Sequence, residues 1–144
     1  MTEPLYIIDA IRTPFSRMGT ELAALPADEL GRIVTDALLT RTGVDPASID
    51  EVIFGCVCQP PDAMNIARVI ALRAGIPAEV PAVTVHRNCA SGFEAITTAH
   101  ERVASGRGSL YLVGGVENMS QVPLLYPVAA AKKFAGVAKA KTLQ

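Results

Sequence analysis

The chain has 144 residues, half of them hydrophobic and 19% charged, which is enough for one globular domain with a buried core. Thirteen basic and 14 acidic residues nearly cancel, so charge gives no case for nucleic acid or an anionic membrane as a partner. No stretch reaches the roughly 18 consecutive apolar residues of a membrane span. The first residues lack the pattern of a secretory signal, and an odd number of cysteines, three, suits reduced thiols. We therefore expect a cytoplasmic protein.

The first third of the chain predicts a strand, a loop, a helix and a turn. Residues 5–11 are short, apolar and rich in β-branched side chains, which indicates a buried strand that ends near Pro14. A helix begins at Ala27 or the next residue, because apolar residues then recur at three- and four-residue spacing, and Gly43 is a typical stop. Residues 45–48 have turn composition and predict one helical turn.

The middle of the chain alternates between strands and helices. The predicted strands are 51–57, 82–86 and 110–115, and the predicted helices are 65–74 and 89–103. Strands that are almost continuously apolar and alternate with helices are typical of a mainly parallel sheet covered by helices on both faces. After Val116 come a loop, two prolines and an alanine- and lysine-rich helix candidate, with no further strand. Because natural chains avoid an unpaired apolar sheet edge, we expect the sequence to be part of a larger fold.

Cys89 lies where the strand 82–86 turns into the following helix. The small residues 90–92 allow a tight bend and the close approach of a ligand. Free N–H groups at a helix start stabilise a thiolate and can hold a carbonyl oxyanion, so Cys89 is a candidate nucleophile. The alternative is a buried cysteine that packs as a small apolar residue, which is the commonest fate of a free cysteine.

Four segments, taken together and in order, resemble the thiolase family. They are Asp9–Phe15, Asn65–Arg68, His86–Ala95 and Gly114–Ser120. The third resembles the acyl-enzyme motif of thiolases, and the fourth resembles their Gly-Gly-x-Glu-x-Met-Ser segment. The resemblance implies a thiolase-like α/β fold, present as one incomplete βαβαβαβ half with the second half missing. Residues 1–120 would then be the first half-domain, and residues 121–144 the truncated start of the thiolase loop region.

The same resemblance implies a function, the transfer of acyl groups between coenzyme A thioesters by 3-ketoacyl-CoA thiolysis or acyl-CoA condensation. Cys89 would hold the acyl group as a thioester, with its backbone N–H in the oxyanion hole. For Met119 two interpretations stay open, that it lines the acyl pocket or that it only fills space. Coenzyme A is then a substrate, and no cofactor is expected. A homodimer would form through strand 82–88. Complete thiolases draw a histidine base and a second cysteine from a second half, so a separate C-terminal half is a further expected partner.

Two other interpretations of the whole chain stay open. One is a catalytically inactive thiolase-like domain that serves in assembly or in acyl-CoA binding. The other is a condensing enzyme similar to ketoacyl synthases, although the sequence context of Cys89 and the segment Glu117–Ser120 favour a thiolase.

The remaining chemically active residues favour structural interpretations. Cys56 and Cys58 share a strand face, but no second pair completes a tetrahedral set, so no metal site is predicted. His86 precedes Cys89 by three residues, and we favour a structural or interface role for it. Glu117 is expected to be a buried carboxylate that bonds to the backbone. Gly114 and Gly115 are expected to let the backbone pass close to the helix that carries Cys89.

Overall fold

The computed structural model describes residues 4–139. Its helices are α1 (Ala27–Thr42), α2 (Ile66–Arg73), α3 (Ser91–Ala104) and α4 (Val128–Lys139), and its strands are β1 (Glu51–Gly55), β2 (Ala82–Val85) and β3 (Tyr111–Gly115). Two short 3₁₀ turns occupy Pro46–Ser48 and Met119–Gln121. The predicted alternation of strands and helices from residue 27 onward is confirmed.

The three strands form one parallel sheet in the order β2-β1-β3. β1 is the central strand, and its Val52 pairs with Ala82 of β2 and with Leu112 of β3. Parallel neighbours require a crossover connection, and α2 and α3 supply the two crossovers. The carboxyl ends of all three strands therefore meet at one edge of the sheet, where the chain bends into α3.

Helices cover both faces of this sheet, as predicted. Val52 and Phe54 are fully buried on one face, in a core that includes Ile66 and Ile70 of α2. Ile53 points to the opposite face, where Ala95 and other α3 residues bury it completely. α1 packs on α2, and Gly31 makes this contact possible because a Cβ there would lie 2.2 Å from the Ile70 Cδ1.

The end of α1 follows the predicted chemistry, and a side-chain cap starts α2. α1 ends at Gly43, whose φ of 67° places it in the left-handed region that glycine enters most easily. The Asn65 side chain caps α2 by accepting a hydrogen bond from the Arg68 N–H at 3.2 Å. Within residues 4–139, no helix is long and apolar enough to span a membrane.

The predicted strand at residues 5–11 is wrong. This segment pairs with no strand in the described part of the chain, and Tyr6, Ile7 and Ile8 are each more than 70% exposed. Asp9 ties the segment to the end of α1, because its carboxylate accepts two hydrogen bonds from the Arg41 guanidinium at 2.7 Å. β-branched composition shows that a segment can pair in a sheet, but it does not supply the neighbouring strand.

Candidate active site

Cys89 lies in the bend between β2 and α3, as predicted. β2 ends at Val85 and α3 begins at Ser91, so five residues complete the change of direction. The cysteine is exposed, which rules out the alternative in which it packs as a buried apolar residue. An accessible thiol two residues before a helix has the position that a nucleophile requires.

Asn88 gives the bend its shape. Its φ of 47° is the only positive value among the non-glycine residues that the structure describes. Asparagine enters the left-handed region more easily than most residues, although such conformations cost on the order of 1–3 kcal/mol. Two backbone hydrogen bonds close the turn, from the Ala90 N–H to the Arg87 carbonyl and from the Ser91 N–H to the Asn88 carbonyl, both 3.0 Å long. The backbone at Cys89 is thus held in one conformation.

Glycines bring the strand ends against the first turn of α3. A Cβ on Gly55, the last residue of β1, would lie 2.3 Å from the carbonyl atoms of Ser91 and 2.6 Å from the Gly92 nitrogen. A Cβ on Gly115, the last residue of β3, would lie 2.9 Å from the Gly92 Cα. The prediction that glycine lets the backbone pass close to this helix is confirmed for Gly115. It is wrong for Gly114, which makes room for the Phe54 ring.

Glu117 joins the loop after β1 to the loop after β3. Its carboxylate accepts hydrogen bonds from the Val57 N–H at 2.9 Å and from the Cys58 N–H at 3.2 Å. The Cys56 thiol donates to the same carboxylate across 3.8 Å. The predicted bonding of Glu117 to the backbone is confirmed, and the carboxylate is only partly buried. Its role is to hold the edge of the site in place.

The thiol of Cys56 is kept protonated by its surroundings. Burial raises the pKa of Cys56 to about 12, and the negative charge of Glu117 acts in the same direction. A thiol in this state is neither a nucleophile nor a metal ligand at neutral pH. Within residues 4–139, no group of three or more histidine, cysteine, aspartate or glutamate side chains could hold a metal ion.

An open, mostly apolar cleft of about 1450 Å³ reaches Cys89. Its lining includes the extended N-terminal segment, residues of α1, and β3 with the loop that follows it. Cys58 and Met119 line the same cleft, so the structure brings the predicted pocket residue Met119 and the predicted nucleophile to one cavity. Met119 is 53% exposed there, and a flexible apolar side chain of this kind suits contact with a ligand.

His86 does not form a dyad with Cys89 in the described chain. Its side chain is exposed, and no hydrogen bond joins it to the cysteine within residues 4–139. The site therefore combines an accessible thiol, a helix start and an apolar cleft, and no histidine of the described residues forms a hydrogen bond with the thiol. This arrangement defines the class of the protein as an α/β fold with an exposed cysteine at a strand-to-helix bend.

The chain belongs to the thiolase family. A family profile described as thiolase, N-terminal domain, matches residues 5–143. A beta-ketoadipyl-CoA thiolase of Pseudomonas knackmussii is 46% identical over 125 residues, which cover 85% of this chain and 31% of that protein. A 3-ketoacyl-CoA thiolase of Serratia proteamaculans is 39% identical over 137 residues, which cover 95% of this chain and 31% of that protein.

Solved structures support the same assignment. The crystal structure of a Bacillus anthracis acetyl-CoA acetyltransferase matches with a TM-score of 0.78 at 37% identity, covering 81% of this chain and 30% of that chain. The thiolase-like fold inferred from the sequence is thereby confirmed. The chain spans about a third of the length of the curated relatives it matches.

Three features of the site were not foreseen from the sequence. They are the left-handed Asn88, the contact of Gly55 with α3, and the hydrogen bonds of the Ser91 hydroxyl. The one signal available beforehand was the run of small residues after Cys89, which indicates crowding but does not say which atoms meet. The cleft was missed because residues 5–11 were assigned to the sheet.

Proposed function

We propose that this chain is the acyl-accepting N-terminal portion of a thiolase, an enzyme that transfers acyl groups between coenzyme A thioesters. The observation that carries the proposal is the exposed Cys89 at the start of α3, in a chain whose relatives are named as thiolases. The reaction is thiolysis of a 3-ketoacyl-CoA or condensation of two acyl-CoA molecules. Residues 1–120 are then the first half-domain, and residues 121–144 begin the loop region.

The proposed first step is acyl transfer to Cys89. In condensation, the thiolate Sγ attacks the thioester carbonyl, a carbon–sulfur bond forms, and the coenzyme A thiolate leaves with the electron pair of the bond that breaks. In thiolysis, Sγ attacks the 3-keto carbonyl, and the carbon–carbon bond that breaks leaves its electron pair on acetyl-CoA, which then takes up a proton. The Cys89 backbone N–H and the nearby helix start would stabilise the oxyanion during the attack. The proton released by the Cys89 thiol needs an acceptor, and no histidine in the described chain forms a hydrogen bond with Cys89. A base supplied by another part of the protein would take this role.

The proposed substrates are acyl-CoA thioesters, with coenzyme A as a reactant and no further cofactor. The apolar lining of the cleft and the exposed Met119 support an acyl chain as the group bound next to Cys89. The printed names of the relatives, beta-ketoadipyl-CoA thiolase and 3-ketoacyl-CoA thiolase, point to the same substrate class. They differ in the acyl group, and we assign none to this chain.

Two protein partners accompany this proposal. The first is a second copy of the chain, paired through residues 82–88, because β2 is an edge strand of the described sheet. The second is a separate C-terminal thiolase half, which is supported by the exposed apolar side chains of Ile7, Ile8 and Phe134. Sedimentation at micromolar concentration tests the first partner, and a monomer there contradicts it.

A catalytically inactive domain for assembly or acyl-CoA binding is the alternative function. The observation in its favour is that no histidine within residues 4–139 forms a hydrogen bond with Cys89. A ketoacyl-synthase-like enzyme is disfavoured, because the profile match and the relatives reported above are thiolases.

Acyl loading separates the active and inactive alternatives. The full chain is incubated with acetyl-CoA or acetoacetyl-CoA and its intact mass is measured, followed by peptide mapping. We expect one acyl group on Cys89, none in Cys89→Ser, and an unchanged yield in Cys58→Ser, which removes the other thiol of the cleft. Absence of an adduct, together with resistance of Cys89 to iodoacetamide, would overturn the assignment of Cys89 as nucleophile.

A further inference from the structure

The Ser91 hydroxyl bridges the two residues that precede Cys89. It accepts a hydrogen bond from the Arg87 N–H at 2.8 Å and donates one to the Asn88 carbonyl at 2.7 Å. Ser91 is only 4% exposed, so water cannot readily replace either bond. The Ser91 hydroxyl therefore lies on the buried side of the bend, whereas Cys89 is exposed.

These two bonds are the side-chain hydrogen bonds that hold the backbone of the bend. Within residues 4–139, every side-chain hydrogen bond to the backbone of residues 86–90 comes from Ser91. The Arg87 side chain also pairs with Glu94 at 2.9 Å, but Arg87 is 68% exposed, so solvent screens this ion pair. The buried hydroxyl is the side-chain group that fixes the path of the backbone here.

The position of Ser91 explains why its hydroxyl is needed. Asn88 holds a left-handed conformation, and such a residue persists only when its surroundings determine it. Ser91 bonds to the Asn88 carbonyl through both its N–H and its hydroxyl. Loss of the hydroxyl would leave the Arg87 N–H without its acceptor and free the peptide that leads into Cys89.

We infer that Ser91 is a positioning residue for the nucleophile, through the hydroxyl bridge between the Arg87 N–H and the Asn88 carbonyl. The bridge fixes the direction of the Cys89 thiol and of the backbone N–H proposed for the oxyanion. This inference rests on the proposed function of Cys89. Acyl transfer depends on the geometry of the thiol, the carbonyl carbon and the oxyanion donor together, whereas alkylation by iodoacetamide depends mainly on access to the thiol.

The test compares Ser91→Ala with Ser105→Ala in the full chain. Ser105 is a matched control, because it lies at the other end of α3 and its hydroxyl also donates to backbone carbonyls, those of Glu101 and Arg102. Three quantities are measured for each protein: hydrogen exchange of the Arg87 amide by NMR, the rate of acetylation of Cys89 by acetyl-CoA, and the rate of its alkylation by iodoacetamide.

We expect Ser91→Ala to speed exchange of the Arg87 amide by about ten-fold, since that amide loses its acceptor. Acetylation of Cys89 should slow by about 10- to 100-fold, while alkylation changes by less than about two-fold. Ser105→Ala should alter none of the three rates. A role in folding alone would slow acetylation and alkylation by the same factor, and that result would overturn the inference.

The measurements also keep this inference separate from the proposed function. If Cys89 of the unchanged chain takes up no acyl group, the proposed function fails. Faster exchange at Arg87 in Ser91→Ala alone would then still support Ser91 as the group that fixes the bend. Unchanged exchange at Arg87 in that variant would overturn the role of Ser91 whether or not Cys89 is acylated.

Discussion

Replacing Gly55 by alanine tests whether backbone contact between β1 and α3 sets the position of the bend that carries Cys89. The new Cβ would lie 2.3 Å from the carbonyl carbon and oxygen of Ser91 and 2.6 Å from the nitrogen of Gly92. Real Cβ contacts do not approach so closely, and all three atoms belong to the backbone, so no side chain can rotate away. Either α3 moves outward at its first turn or the end of β1 shifts.

The size of the effect follows from this crowding. Overpacking in a well-packed region typically costs about 1–3 kcal/mol, and a clash with rigid backbone belongs at the upper end, so we expect a loss of about 3 kcal/mol. In a domain of this size that loss lowers the melting temperature by about 10 °C. Because the clash falls on Ser91, acylation of Cys89 should also slow in Gly55→Ala.

Gly92→Ala is the matched control, since Gly92 lies on the other side of the same contact. A Cβ at Gly92 would have one neighbour within 4 Å, the Gly115 Cα at 3.7 Å, which is an ordinary van der Waals distance. Alanine is favoured over glycine inside a helix, so this variant should gain about 0.5–1 kcal/mol. Urea unfolding followed by circular dichroism measures both variants. Equal stabilities for Gly55→Ala and the unchanged chain, or a larger loss in Gly92→Ala, would refute the reasoning.

Three further predictions concern polar and ionisable groups. The Thr35 hydroxyl is buried and has no hydrogen-bond partner in the described chain, so Thr35→Val should stabilise by about 1 kcal/mol in urea unfolding, and a loss would contradict this. Hydrogen bonds from the Ser109 and Leu110 N–H groups lower the pKa of Asp50 in the folded state. The stability that Asp50 contributes is therefore present above its unfolded pKa and is lost as the pH falls through the lower folded pKa, which forms the acid limb of the stability curve. Asp50→Asn should flatten that acid limb in pH-dependent melting, and an unchanged limb would count against it. The raised pKa of Cys56, about 12 against an ordinary 9.0, means that stability is lost as the pH rises from 9 to 12, and Cys56→Ala should reduce this loss.

Sequence reasoning succeeded where one residue settles a local structure. Gly43 ends α1, as predicted, because glycine enters the left-handed region at little cost. The bend at Cys89 was predicted in the same way, from an apolar run followed directly by small residues. Such signals act over a few residues, so the sequence contains all the information they need.

Sequence reasoning failed where the outcome depends on a distant neighbour. The segment 5–11 has the composition of a strand, but composition does not determine where a segment docks, and in the structure it pairs with neither edge strand of the described sheet, β2 or β3. The same limit explains Gly114 and Gly115, whose adjacent positions gave them one predicted role. In the structure they face opposite sides of β3, so Gly114 meets the Phe54 ring and Gly115 meets α3.

The contacts around the bend show why the site depends on backbone more than on side chains. Gly55 and Gly115 end two adjacent parallel strands, and both press on the first turn of α3, at Ser91 and Gly92. A side chain at either strand end would push the helix away from the sheet edge, and the turn that carries Cys89 would move with it. The Ser91 hydroxyl then fixes the one part of the bend that the glycines leave free, the left-handed peptide at Asn88. The position of the Cys89 thiol therefore depends on two glycines and one buried hydroxyl, and we expect changes at these three positions to slow acylation of Cys89 even though none of the three would bond to the acyl group.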